Sequence, residues 1–227
     1  MRRQKRSSAM LKKIVVMFAA VVLIVAATIS GTLAWLTAET QEVTNTFTVG
    51  NVEISLTEHK LEDGSLSKTE TTQENEYHFV PGDVLPKDPY VTVGDNSESC
   101  YVFVVIEEEN NTITVGSSTE KIVDYTTGAD WMLVDGTTNV YCYVDENETP
   151  KIATSGEILD EILKDNQVTI SDKVTKSYVE TVKESQDKPE LNFKAYAIQS
   201  DNLKKDGNTV TTAADIWALV KDAESLT

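Results

Sequence analysis

The sequence predicts an all-β fold: an antiparallel β-sandwich with two inserted or peripheral helices, preceded by an N-terminal signal helix. Three observations carry that expectation. Short runs with period-two alternation recur between residues 47 and 198. Turn formers such as Asp63-Gly64, Pro81-Gly82-Asp83 and Asp135-Gly136 separate them. Only two stretches after residue 46 carry helical spacing, which leaves the strands as the bulk of the core. The chain has 227 residues and 40% hydrophobic content, enough for one sizeable core or at most two small domains.

Residues 1–34 read as an export signal. A basic n-region carries Arg2, Arg3, Lys5, Arg6, Lys12 and Lys13. An uncharged, mostly apolar run follows over residues 14–30, and positive charge before such a run holds the N-terminus on the cytoplasmic side. Thr32 and Ala34 supply the small side chains that a signal peptidase needs at its −3 and −1 positions. Cleavage is therefore expected between Ala34 and Trp35. The uncharged stretch to Thr37 is also long enough to span a bilayer, so the alternative is an uncleaved anchor. Either way the membrane is met only through this segment, and the body lies outside the cytoplasm.

The formal charge is −17. Six cations and no acid lie in residues 1–34, leaving 14 cationic residues against 37 acidic ones and a body near −23. Phosphate backbones repel such a body, so nucleic acid is excluded as a partner class. The acidity favours solubility and attracts cations or basic surfaces.

Residues 35–46 are polar apart from Trp35, Leu36 and Val43, with too little apolar surface to fold alone. The sandwich domain is expected over 47–227. Phe47, Val49, Val52, Ile54 and Leu56 alternate with polar residues as a first strand. The polar stretch 57–76 reads as a surface loop or hairpin tip around Asp63-Gly64. A strand at Tyr77–Val80 runs into the Pro81-Gly82-Asp83 turn. Tyr90–Val93 is the next strand, and Cys100–Glu107 is nearly continuously apolar, which predicts a central strand covered on both faces. Trp131–Val134 and Val140–Val144 flank Asp135-Gly136 as a hairpin. Val168–Ile170 and Leu191–Ile198 complete the set. In the latter, Leu191, Phe193, Ala195 and Ala197 share one face, with Tyr196 and Ile198 on the other.

Two helices are expected. Thr154 and Glu157 match a capping box, followed by Ile158, Leu159, Ile162 and Leu163 on one helical face. Thr212 and Asp215 open a second, whose Ile216, Leu219, Val220 and Ala223 cover the core, with Trp217 as a packing anchor.

Motifs for chemistry are sparse. The sequence has no H-E-x-x-H, G-x-S-x-G, P-loop or Rossmann glycine pattern. His59 is expected in a solvated loop and His78 in a strand. Glu107–Glu109 and Asp145–Glu148 offer at most weak calcium binding, because they lack EF-hand spacing; solvated strand ends are the simpler reading. No other cofactor is expected. Cys100 and Cys142 lie in strand-like runs. They pair as a disulfide if those strands bring their Cα atoms close, and otherwise act as buried apolar thiols.

Gly31-Thr-Leu-Ala-Trp-Leu-Thr37 with Asn45-Thr-Phe-Thr-Val-Gly-Asn-Val-Glu-Ile-Ser-Leu56 resembles the signal and first strand of bacterial proteins exported through a SipW-type signal peptidase, the TasA/camelysin family. Phe79-Val-Pro-Gly-Asp-Val-Leu-Pro86 and the run Tyr90–Val105 are similar to the turn and strands that follow in that family. The resemblance is specific over residues 28–107 and looser beyond. It implies a jelly-roll-like sandwich on a secreted protein of a Gram-positive cell surface or biofilm matrix, released by a SipW-type peptidase. It further implies a head-to-tail homopolymer, in which residues 35–46 add as a donor strand to the next subunit, and Trp35, Leu36 and Val43 fill its pockets. The resemblance leaves two alternatives: a camelysin-like surface metalloprotease, and a monomeric acidic binding module.

Overall fold

The computed structural model describes residues 51–78, 80–183, 187–205 and 207–224. The expected signal helix, the Ala34/Trp35 cleavage point and the Trp35, Leu36, Val43 segment lie outside the described residues, as does the first part of the expected strand at 47–49.

The chain is an antiparallel β-sandwich. Strand β1 (Ile54–Glu62) turns through Asp63 and Gly64 into β2 (Ser65–Thr72), with Glu62 opposite Ser65. Asp63 and Gly64 both have positive φ, 49° and 79°, the type I′ geometry that matches strand twist. The strands therefore run much further into the polar 57–76 stretch than alternation alone indicates. Residues 74–78 form no strand, so His78 lies in an irregular segment and not in the expected strand. At the next turn Asp83 N–H donates to the Val80 carbonyl at 3.0 Å, and Gly82 takes φ +86° after Pro81. This is the arrangement of a type II turn.

Then come β3 (Val84–Pro86), β4 (Tyr90–Val93) and β5 (Cys100–Glu109). Short strands β6 (Thr112–Val115), β7 (Ser118–Lys121) and β8 (Val123–Asp124) precede the expected hairpin of β9 (Trp131–Leu133) and β10 (Val140–Tyr143). β11 (Ile152–Ala153), β12 (Ile158–Leu159) and β13 (Gln167–Ile170) follow, then helix α1 (Lys176–Lys183) and the long β14 (Glu190–Gln199). A small hairpin of β15 (Lys204–Lys205) and β16 (Asn208–Thr209) leads to the C-terminal helix α2 (Ala213–Glu224).

Two sheets face each other. One has the order β12-β4-β1-β2. In the other, β5 is central: β14 lies along one side for ten consecutive residue pairs, and β10 and β11 share the other, with β9 outside β10. A smaller sheet, β3-β13-β8, lies beside them. Cys100, Val102, Val104 and Ile106 of β5 join Val91, Val93 and Leu159 in the layer between the sheets. Phe103 and Val105 join Cys142, Ile216, Trp217 and Val220 beneath α2. The period-two split of β14 holds: Leu191, Phe193, Ala195 and Ala197 pack on the first core, Tyr196 and Ile198 on the second.

The helical expectations divide. α2 forms as read, with Thr212 Oγ1 accepting from Asp215 N–H at 3.2 Å and donating to Asp215 Oδ2 at 2.8 Å. Trp217 is the packing anchor, and Ala223 is exposed and does not cover the core. The helix expected after Thr154 is absent. Glu157 Oε2 does accept from Thr154 N–H at 2.9 Å and Oγ1 at 3.2 Å, but these bonds close a turn. Gly156, Glu161, Asp165 and Asn166 all take positive φ, which a helix cannot accommodate. Ile158 and Leu159 instead pair with Thr92 and Val91 of β4. The second helix is α1, whose N-terminus Thr175 caps by accepting from Tyr178 N–H at 3.2 Å.

Candidate functional site

Core-facing phase in β1 continues from Val52, Ile54 and Leu56 into Glu58, so a carboxylate enters the apolar row. Glu58 is 5% exposed. It meets Lys87, 9% exposed, at 2.9 Å between Nζ and Oε2. Lys87 follows β3 and is held there by its N–H, which donates to the Asn166 carbonyl at 2.8 Å. Its Nζ also sits 5.3 Å from the ring centroids of both Tyr77 and Phe193. Among the described residues the Tyr77 hydroxyl is buried with no hydrogen-bond partner.

The next residue along each segment makes a second contact. His59 Nδ1 lies 2.6 Å from Asp88 Oδ2, and Asp88 Oδ1 accepts the His59 backbone N–H at 3.1 Å. The ladder between β1 and β4 ends at Thr57 and Tyr90. Asp88 thus supplies the acceptor that the next backbone pair would have given. Asn75 does the same across the irregularity in β1: its Oδ1 accepts from Leu61 N–H at 2.7 Å, and its Nδ2 donates to the His59 carbonyl at 2.9 Å. The expected solvated loop around His59 is therefore a strand, because these side chains satisfy its backbone. The arrangement confines a primary amine against a carboxyl group in an aromatic wall, beside a histidine–aspartate pair open to solvent on one side.

The second candidate is the outer edge of β14. Ten residues pair with β5 without a bulge, and no strand among the described residues pairs with the other edge. Leu191, Phe193, Ala195, Tyr196, Ala197 and Ile198 are all only partly buried, and β1 runs close to this strand without pairing with it.

Cys100 and Cys142 do not pair. Both are free and fully buried. β5 and β10 are neighbours, but Cys142 stands opposite Phe103, and the thiols lie in the layers on opposite sides of the sheet. Side chains pointing apart cannot form the bond. Burial, then the Glu157 carboxylate, pushes the Cys100 thiol up to about 11, and burial pushes Cys142 up to about 12. At neutral pH neither thiol of the native protein reacts with an alkylating reagent, and both titrate after unfolding without reductant. Recovery of no free thiol in the unfolded chain would overturn this geometry.

The acidic runs are partnered. Lys194 Nζ donates to both Glu107 oxygens at 2.8 and 2.9 Å, and Asp145 Oδ1 accepts from the backbone of Asn147 and Thr149. Glu108 accepts from Lys121 at 2.7 Å and from Tyr125 and Asn111 at 2.8 Å each. Burial alone would raise the Glu108 carboxyl, but those three donors outweigh it and hold it below the usual carboxylate range. A depressed carboxyl adds stability above its unfolded value, near about 4.3, and loses it as pH falls through the folded value. Glu108→Gln accordingly costs about 1–2 kcal/mol at neutral pH, and denaturation series show that deficit shrinking below about pH 4. An unchanged deficit at low pH would contradict the assignment.

Among the described residues no group of three or more His, Cys, Asp or Glu is placed to hold a metal ion. The sequence-derived site residues Ala34, Trp35, Leu36 and Val43 lie outside the described residues. The Glu58/Lys87 pair escaped sequence reasoning, although the signal existed: a charge in phase with a core-facing row. No family model, curated protein or solved structure matches the chain.

Proposed function

We propose that this is an exported structural protein that assembles with itself, head to tail, by adding residues 35–46 of one copy to the outer edge of β14 in the next. The observation that carries this reading is the β14 edge. Edge strands are normally blunted by charge, proline, bulges or shortness. β14 is ten residues long, regular in its pairing, without proline, and carries a single cation, Lys194, between its ends. An extended segment gains main-chain hydrogen bonds on such an edge, and its alternate side chains complete both cores. Trp35, Leu36 and Val43 supply apolar side chains in a segment that cannot fold alone. A contact of this type does not close on itself, so it propagates as a filament. Export by a SipW-type peptidase, with cleavage after Ala34, exposes the segment at the new N-terminus.

Electron microscopy and sedimentation of the Trp35–Thr227 form test the proposal. Filaments are expected from that form, and a folded monomer from one lacking residues 35–46. Filaments from the shortened form, or a persistent monomer from the longer one across salt and pH, would sink it.

A further inference from the structure

We propose that Lys87 and Glu58 condense into an intramolecular amide, a covalent tie between β1 and the β3–β4 connection. This inference is independent of the assembly reading.

Two observations carry it. The amine and carboxyl are already in contact, with Nζ 2.9 Å from Oε2 and side chains only 11% and 7% exposed. Holding two reactants so placed replaces a bimolecular encounter by an internal step. The surroundings suit the product better than the ions. An ammonium has three N–H donors, yet Nζ finds one carboxylate oxygen and two aromatic faces. A buried ion pair is favourable only when its remaining hydrogen-bonding capacity is met. A secondary amide carries no charge and keeps a single N–H. The Tyr77 hydroxyl, also buried, stays neutral there: burial, and then the Glu58 and Asp88 carboxylates, disfavour its ionisation, with Asn75 acting the other way.

The step balances without another reactant. A proton passes from the Lys87 ammonium to the Glu58 carboxylate. The Nζ lone pair attacks Cδ, and a C–N bond forms. The C–OH bond then breaks, and the hydroxyl leaves as water with a proton from nitrogen. Nothing is oxidised or reduced.

Intact-mass measurement and tryptic mapping of the expressed, denatured protein test this. The expected protein is one water lighter than the sequence of its observed N-terminus requires. Its map shows the peptide ending at Lys60 joined to the one carrying Lys87, with the Lys87–Asp88 bond uncut. This branched peptide separates the cross-link from water loss at an Asp-Gly site. Glu58→Gln reaches the same final mass by losing ammonia, whereas Lys87→Arg keeps its full sequence mass. A folded wild-type protein at full sequence mass, cut by trypsin after Lys87, would overturn the proposal and leave an ion pair. The wild-type result decides even if a variant fails to fold.

Discussion

Trp217→Ala lowers the stability of the folded domain by about 3–5 kcal/mol. The indole is 7% exposed and lies over a cross-strand pair, Phe103 of β5 and Tyr196 of β14, with ring centroids 5.3 and 5.6 Å away. Removing it opens a cavity between helix and sheet, and it deletes two aromatic contacts worth about 0.5–1.5 kcal/mol each beyond area burial. Ile216 and Val220 cannot refill the space, because both are already buried. Denaturant unfolding measures the loss, and the near-ultraviolet circular dichroism of the aromatic cluster weakens with it. Trp217→Phe restores part of both. A loss below about 1 kcal/mol, within reach of ordinary surface changes, would show that α2 does not hold the sheet.

Gly128→Ala costs about 3 kcal/mol or more, through a different cause. A Cβ at this position would lie 2.0 Å from the Glu161 carbonyl oxygen. The obstacle is backbone, so no rotamer change relieves it. The surrounding bonds leave little slack: Gly128 N–H donates to the Ile162 carbonyl at 3.1 Å, Trp131 Nε1 donates to the Asp160 carbonyl at 3.1 Å, and Thr127 bridges Leu163. For a domain of this size the midpoint of thermal unfolding falls by roughly 6–12 °C. Wild-type stability in the variant would mean that the two segments do not touch.

The same pair of segments shows where the sequence stopped being informative. Ile158, Leu159, Ile162 and Leu163 have the spacing of a helical face, and Thr154 with Glu157 has that of a cap. The hydrogen bonds of the cap are present, yet the backbone beyond takes positive φ at Glu161, Asp165 and Asn166. Tertiary pairing with β4 and the close approach of Gly128 decide the outcome, and neither is local. β1 and β14 were readable from alternation because each buries a regular row of side chains, and β5 from a continuous apolar run because it is covered on both faces. α1 was not, since Tyr178 and Val179 are only partly buried and leave a thin apolar stripe. The Glu58/Lys87 contact joins residues 29 positions apart, so only the register of β1 against the β3–β4 connection reveals it. The β14 strand was legible, and its lack of a second paired strand among the described residues was not, because edge or centre is a property of the sheet.

A strand that is apolar on both faces carries little information about its own alignment. Sliding β5 one residue along β14 would still present apolar side chains to both cores. Size, not polarity, separates the two alignments. The face toward the other sheet holds Cys100, Val102, Val104 and Ile106, while the face toward α2 holds the rings of Tyr101 and Phe103. After a slip the Phe103 ring would be forced among the valines, and Trp217 would rest on a smaller side chain. The phenyl group of Phe103, with the ring of Tyr101 on the same face, therefore acts as an indexing pin, and a protein built around so uniform a strand depends on the size of these rings to say which way the strand faces.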